Sequence, residues 1–203
     1  MLKLYSFEGK TQEEALEKAL SNLNASTNEV IYNITETEGK LFKAKKSIVN
    51  VVLKNDVKNE IKDFINKLKK KMNIDINMEV KEVDDVFNVL LISDNNSILI
   101  GKEGRTINAL QLILRQTLNK YGLNIKVNLD VSNYKANKVK NIEYEIKKLA
   151  RNVLDTKVEA KLDPMNSYER RVVHTVISEF EFLETESFGE EPERYVIIRY
   201  KED

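Results

Sequence analysis

The order in which helical and strand periods alternate between residues 57 and 135 constrains this chain more than any other feature. Val57, Ile61, Phe64, Ile65, Leu68 and Met72 recur at helical spacing, and the other face of that stretch is rich in lysine. Two runs of strand character follow, "IDINMEVKEV" and "VFNVLLIS", with the turn pair Asp84–Asp85 between them. A short apolar segment then meets "GKEG". Beyond it Ile107, Leu110, Leu114, Leu118 and Tyr121 return to helical period, and Gly122 offers a stop. "LNIKVNLDV" closes the block as a strand. The order is helix, strand, strand, short helix, glycine turn, long helix, strand.

The flanking blocks mix the two periods on a smaller scale. In residues 1–54, Thr11 and Glu14 stand at capping-box spacing, and Ala15, Leu16, Ala19, Leu20 and Leu23 follow at helical period. "EVIYNITETE" and "SIVNVVL" alternate as strands, and "GKLFKAKK" at 39–46 makes a basic tip carrying Phe42. This predicts a β-α-β-β unit, too small to be very stable alone. In residues 136–203, Ile142, Ile146, Leu149, Val153 and Leu154 mark a helix with a basic outer face. "KVEAKLDP" reads as a short strand ending at Pro164, and Asn166 and Glu169 hold N-cap and N3 spacing for a second helix. "FLETESF" and "RYVIIRY", joined by "GEEPE", read as a hairpin. The expected class is α+β, with three small domains in tandem at 1–54, 57–135 and 136–203.

Composition removes several chemistries. The chain has no cysteine, which excludes disulfides, thiolate nucleophiles and cysteine-based zinc sites, and its one histidine excludes His-rich metal sites. Neither a cofactor nor a small-molecule substrate is expected. "MLKLYSFEGK" lacks the basic start and apolar run of a signal peptide, and "FNVLLI" is too short to span a bilayer, so a soluble cytoplasmic protein is expected. Lysine plus arginine equals aspartate plus glutamate at 33 each, yet the charges are unevenly placed. Residues 102–151 carry eleven basic residues against four acidic ones, and the tail reverses the sign. The basic stretch suits a polyanion or is a solvated helix face, and charge alone leaves both open.

Two motifs carry chemistry. At "ILIGKEGRTINALQ", Gly101 and Gly104 flank Lys102 and Glu103 directly before a helix that starts near Arg105. Glycines permit a tight turn and close approach to a ligand, while the helix start supplies free N–H groups. Lys102 and Arg105 add full charges, so the turn suits a sugar–phosphate backbone. The spacing is not that of a P-loop. The second motif is "SYERRVVHTVIS", residues 167–178. At helical period Tyr168, Val172, Val173, Val176, Ile177 and Phe180 share an apolar face, placing Arg170 and His174 together on the polar side. A general-base role for His174 lacks a nucleophile and an orienting group, so no catalytic residue and no enzyme is expected. A buried, satisfied core histidine is the less favoured alternative, and an arginine beside a histidine instead makes a paired donor site for phosphate oxygens.

These stretches carry a family resemblance. The element order of 57–135 with "LIGKEGRTINALQ" resembles a type II KH domain, and "YERRVVH" resembles the signature of the Arg-xxx-His (R-3-H) domain. "GKTQEEALEKAL", "LDPMNSYERRVVH" and "TESFGEEPERYVII" complete a likeness, over nearly the whole chain, to the Jag family (SpoIIIJ-associated, KhpB/EloR-type). The resemblance implies Jag-N, KH and R-3-H domains, the last with two helices on a small sheet. It implies binding of single-stranded RNA, with single-stranded DNA open, through Gly101, Lys102, Glu103, Gly104 and Arg105 and through Arg170 and His174. It further implies post-transcriptional control of cell elongation and division, a small KH-protein partner or self-association, and a link to the membrane-protein insertase. The alternative is an interaction scaffold linked to membrane-protein insertion, with nucleic-acid binding secondary.

Overall fold

Three short strands, Tyr5–Gly9 (β1), Val30–Thr37 (β2) and Lys46–Leu53 (β3), pair antiparallel in the order β1-β3-β2. The helix Gln12–Leu23 (α1) covers one face, burying Ala15 and Ala19 against Val30, Val49 and Val51. Thr11 caps it as the spacing predicts, its Oγ1 accepting from the Glu14 N–H at 3.2 Å. Asn24, at φ +48, ends it in the left-handed conformation that asparagine tolerates. The computed structural model describes residues 2–37 and 46–201, so the basic tip at 39–46 with Phe42 lies, apart from Lys46, outside the described residues.

Lys54–Met72 (α2) begins directly after β3 and buries Val57, Ile61 and Ile65. Asn77–Val83 (β4) and Val86–Ile92 (β5) form the expected hairpin. Asp84 and Asp85 both take positive φ there (51° and 59°), as a two-residue hairpin of right-handed twist requires. Asn96–Ile100 (α3) and Arg105–Leu118 (α4) then cross over to Lys126–Val131 (β6), which runs parallel to β5 and gives the order β4-β5-β6. Ile107, Leu110, Leu114 and Leu118 of α4 are buried as their period predicts. The stop differs from expectation: α4 ends at Leu118 rather than at Gly122. Asn119 is the cause. Its amide donates to Arg115 O at 3.1 Å and Ile125 O at 2.8 Å, while its Oδ1 accepts the Ile125 N–H. Tyr121 therefore lies beyond the helix, its hydroxyl 3.4 Å from Leu2 O.

The chain divides into two units at Ser132/Asn133. The second unit holds Tyr134–Thr156 (α5), Ala160–Lys161 (β7), Ser167–Ile177 (α6), Leu183–Phe188 (β8) and Tyr195–Tyr200 (β9), with antiparallel strand order β7-β9-β8. The strand expected up to Pro164 is only two residues long. Ile146, Ala150 and Val153 of α5 meet Val173, Val176 and Ile177 of α6 over Leu183, Val196 and Ile198 of the sheet. Burial of each of these valine, leucine and isoleucine side chains contributes about 1.5–3 kcal/mol before entropy is charged against it.

Candidate nucleic-acid interface

The glycine turn sits where a helix stops and another starts. Gly101 ends α3, its N–H donating to Ser97 O at 2.8 Å, with φ +70. A Cβ on Gly101 would lie 2.1 Å from Thr106 Oγ1, so both conformation and space demand glycine. Glu103 and Gly104 also take positive φ, 56° and 83°. The chain thereby turns tightly enough to present Lys102, Glu103 and Arg105 to solvent while Gly104 is buried. No side chain among the described residues caps the start of α4, so its positive dipole end faces the loop. Arg105 and Glu103 make only a loose, exposed contact at 3.5 Å. Ile98, 49% exposed and one helical turn earlier, gives the loop an apolar flank.

Helix α6 differs from its reading in the sequence. Arg170 is only 9% exposed and Glu169 is also buried, whereas Tyr168 is 62% exposed. The buried face is rotated toward Arg170 by roughly half of the 100° residue step. Ion pairing explains the shift. Arg170 Nη2 lies 2.7 Å from a Glu191 carboxylate oxygen in the β8–β9 turn. Glu169 receives Lys138 Nζ from α5 at 2.5 Å and closes the capping box by accepting the Asn166 N–H at 3.1 Å. Buried charges persist only when partnered in this way. Arg170 Nε has no partner among the described residues, leaving one buried donor for an incoming acceptor.

His174, expected on the open polar side, is half-buried against β8. Its Nδ1 lies 2.6 Å from Thr185 Oγ1 and its Nε2 lies 3.0 Å from Ser187 Oγ. Burial first, and the Arg170 charge second, push its pKa below the ordinary 6.5, so the ring is mostly neutral at pH 7. The pair is thus one buried cation and one neutral ring, both fastened to the hairpin. Sequence reasoning missed Glu191, Thr185, Ser187 and Lys138. A signal existed for two of them: Thr185 and Ser187 alternate inward with Leu183, placing hydroxyls on the core face of a strand.

Comparison with known proteins locates these features. A KH-domain model described for KhpA and KhpB matches residues 58–131, a Jag N-terminus model matches 7–53, and an R-3-H domain model matches 140–200. The chain is 35% identical over 200 residues to the RNA-binding protein KhpB of Clostridium symbiosum, spanning 96% of this chain and 90% of that one. This chain belongs to the KhpB (Jag) family. Against the RNA-binding protein KhpB of Bacillus subtilis (strain 168), identity is 28% over 200 residues, 95% of this chain and 96% of the relative. Against that of Lactiplantibacillus plantarum it is 36% over 102 residues, 50% of this chain and 32% of the relative. In this KhpB-family chain the glycine turn falls within the KH match, and the Arg170–His174 helix within the R-3-H match. The α+β class and the three modules expected from the sequence are those of the family. Among the described residues no helix is long and apolar enough to cross a membrane.

Proposed function

We propose that this chain is an RNA-binding regulatory protein that holds single-stranded RNA chiefly at the Gly101–Gly104 turn. The observation that carries this is the turn itself: a tight backbone that demands glycine at Gly101, with Lys102 and Arg105 exposed at a helix start that no side chain caps among the described residues. Phosphates would sit on that start and those two cations, and Ile98 would meet a base. Replacing Lys102 and Glu103 with aspartates is expected to lower affinity for single-stranded RNA at least roughly ten-fold without changing the melting temperature. Unchanged affinity would make the turn purely structural.

The Arg170/His174 pair is a second, conditional seat. A phosphate oxygen replaces the Glu191 carboxylate on Arg170, and His174 offers a neutral N–H once a β8 hydroxyl yields. Such a contact is to the backbone and serves single-stranded DNA as well as RNA. The KH and R-3-H modules, at 57–135 and 136–203, would both engage one strand and gain from effective concentration, leaving the module at 1–54 for partners. Leu112 and Ile113, half-exposed on α4, offer a face for self-association or for a small KH-domain partner. Post-transcriptional control of elongation and division is the cellular role this reading assigns.

A further inference from the structure

The R-3-H unit holds a groove that neither the glycine turn nor Arg170 and His174 uses. It lies between α5 and α6 and encloses about 370 Å³, at the small end of ligand-pocket volumes (roughly 300–1,000 Å³) and suited to one nucleobase. Val139, Val172 and Val176 line it with apolar surface. Tyr168 stands on its rim, 62% exposed although its period on α6 is that of a core residue. Arg171, also lining the groove, is exposed and makes no ion pair among the described residues. Glu143 brings a carboxylate to the α5 side, and Thr175 and the pair Lys147–Glu179, at 3.2 Å, complete the lining.

The groove opens beside a basic stripe. Lys140, Tyr144, Lys148 and Arg151 fall within roughly 80° of one another around α5 and span about 16 Å of its length. All four are exposed, Tyr144 at 74%, and none of the three cations has an ion pair among the described residues. A solvated helix face explains the lysines but not an open tyrosine among them, and the rotation of α6 that turns Tyr168 outward places a second aromatic ring on the rim of the apolar slot. Aromatic rings interleaved with cations are the surface that unpaired bases and their phosphates require.

We infer that the α5–α6 groove is a base-binding seat for single-stranded RNA, with the phosphate backbone running along the α5 stripe. The inference rests on the RNA-binding reading above. Tyr168 stacks on the base, Arg171 holds its phosphate, and Glu143 reads the Watson–Crick edge. A carboxylate only accepts hydrogen bonds, and guanine alone presents two adjacent N–H donors on that edge, so guanine is the preferred base.

The test uses the full chain carrying Lys102→Asp and Glu103→Asp, which isolates binding outside the glycine turn. Fluorescence anisotropy is measured with oligo-uridine and with oligo-uridine bearing interspersed guanosines, across a salt series. Guanosine-containing RNA is expected to bind roughly ten-fold tighter, and Glu143→Gln to erase that difference. Tyr168→Ala is expected to weaken both RNAs roughly ten-fold, with Tyr168→Phe intermediate. Arg171→Ala is expected to flatten the log–log salt dependence by roughly 0.7. Circular dichroism melts on each variant check that the exposed substitutions leave the fold intact. If the groove variants bind as their parent does, or if the turn substitutions alone remove all binding, the groove is not a seat and the reading of the turn survives. If the unaltered chain binds no single-stranded RNA, both fall.

Discussion

At Gly101 two independent constraints meet, a φ of +70 and a Thr106 hydroxyl 2.1 Å from where a Cβ would lie. Gly101→Ala is therefore expected to destabilise the first unit by more than about 1 kcal/mol, and chemical denaturation measures it. A cost near zero would mean the turn relaxes freely. His174 gives a pH dependence with a definite sign. Its folded pKa is pushed below the ordinary 6.5, so the unfolded chain takes up the proton first as pH falls. Stability of the R-3-H unit is expected to be flat above that value and to decline below it. Thermal melts between about pH 8 and pH 5 should show the decline in the parent and less of it in His174→Gln. An identical profile in the variant would contradict the burial of a neutral ring. Gly101 was legible because glycine's reason is local. Arg170 was not, because its partner Glu191 lies 21 residues away and only the fold brings them together.

Helix α6 and the β8–β9 turn act as one piece. Asn166 Oδ1 accepts from the Tyr168 and Glu169 N–H groups, both at 3.0 Å, so Asn166→Ala is expected to cost about 1 kcal/mol in denaturant titrations. The turn reaches back through Glu191, whose side chain is mostly exposed. Glu191→Gln is expected to change stability by less than about 1 kcal/mol. It should raise affinity for single-stranded nucleic acid several-fold by freeing Arg170 for a phosphate, and a drop in affinity would contradict the conditional seat. Elements whose signals are short-range were read correctly. The Thr11 and Asn166 caps, the Asp84–Asp85 turn and the 110-114-118 stripe all stand where their spacing puts them. The end of α4 was misplaced because an asparagine side chain closing on Ile125 outcompeted the more obvious glycine. The facing of α6 was misplaced because paired charges entered a core that periodicity reserves for apolar groups.

Across the molecule, a net charge of zero conceals the segregation that matters. Lys102 and Arg105 at the glycine turn belong to one unit, and the α5 stripe belongs to the other. The module order was readable from alternating periods, and the family match places all three modules along the chain. What the sequence hid is which cations are already spoken for: Lys138, partly buried, and Arg170, buried, are both paired, while Lys102, Arg105, Lys140, Lys148 and Arg151 face solvent or lie exposed on helices. The central claim is that the glycine turn clamps RNA phosphates. Its most direct test is the affinity of the intact chain for single-stranded RNA as a function of salt, measured beside the Lys102→Asp, Glu103→Asp variant. The claim expects log affinity to fall linearly with log salt in the parent, with weaker binding and a shallower slope in the variant. Equal affinity and equal slope in the two proteins, or no binding by the parent at low salt, would contradict it.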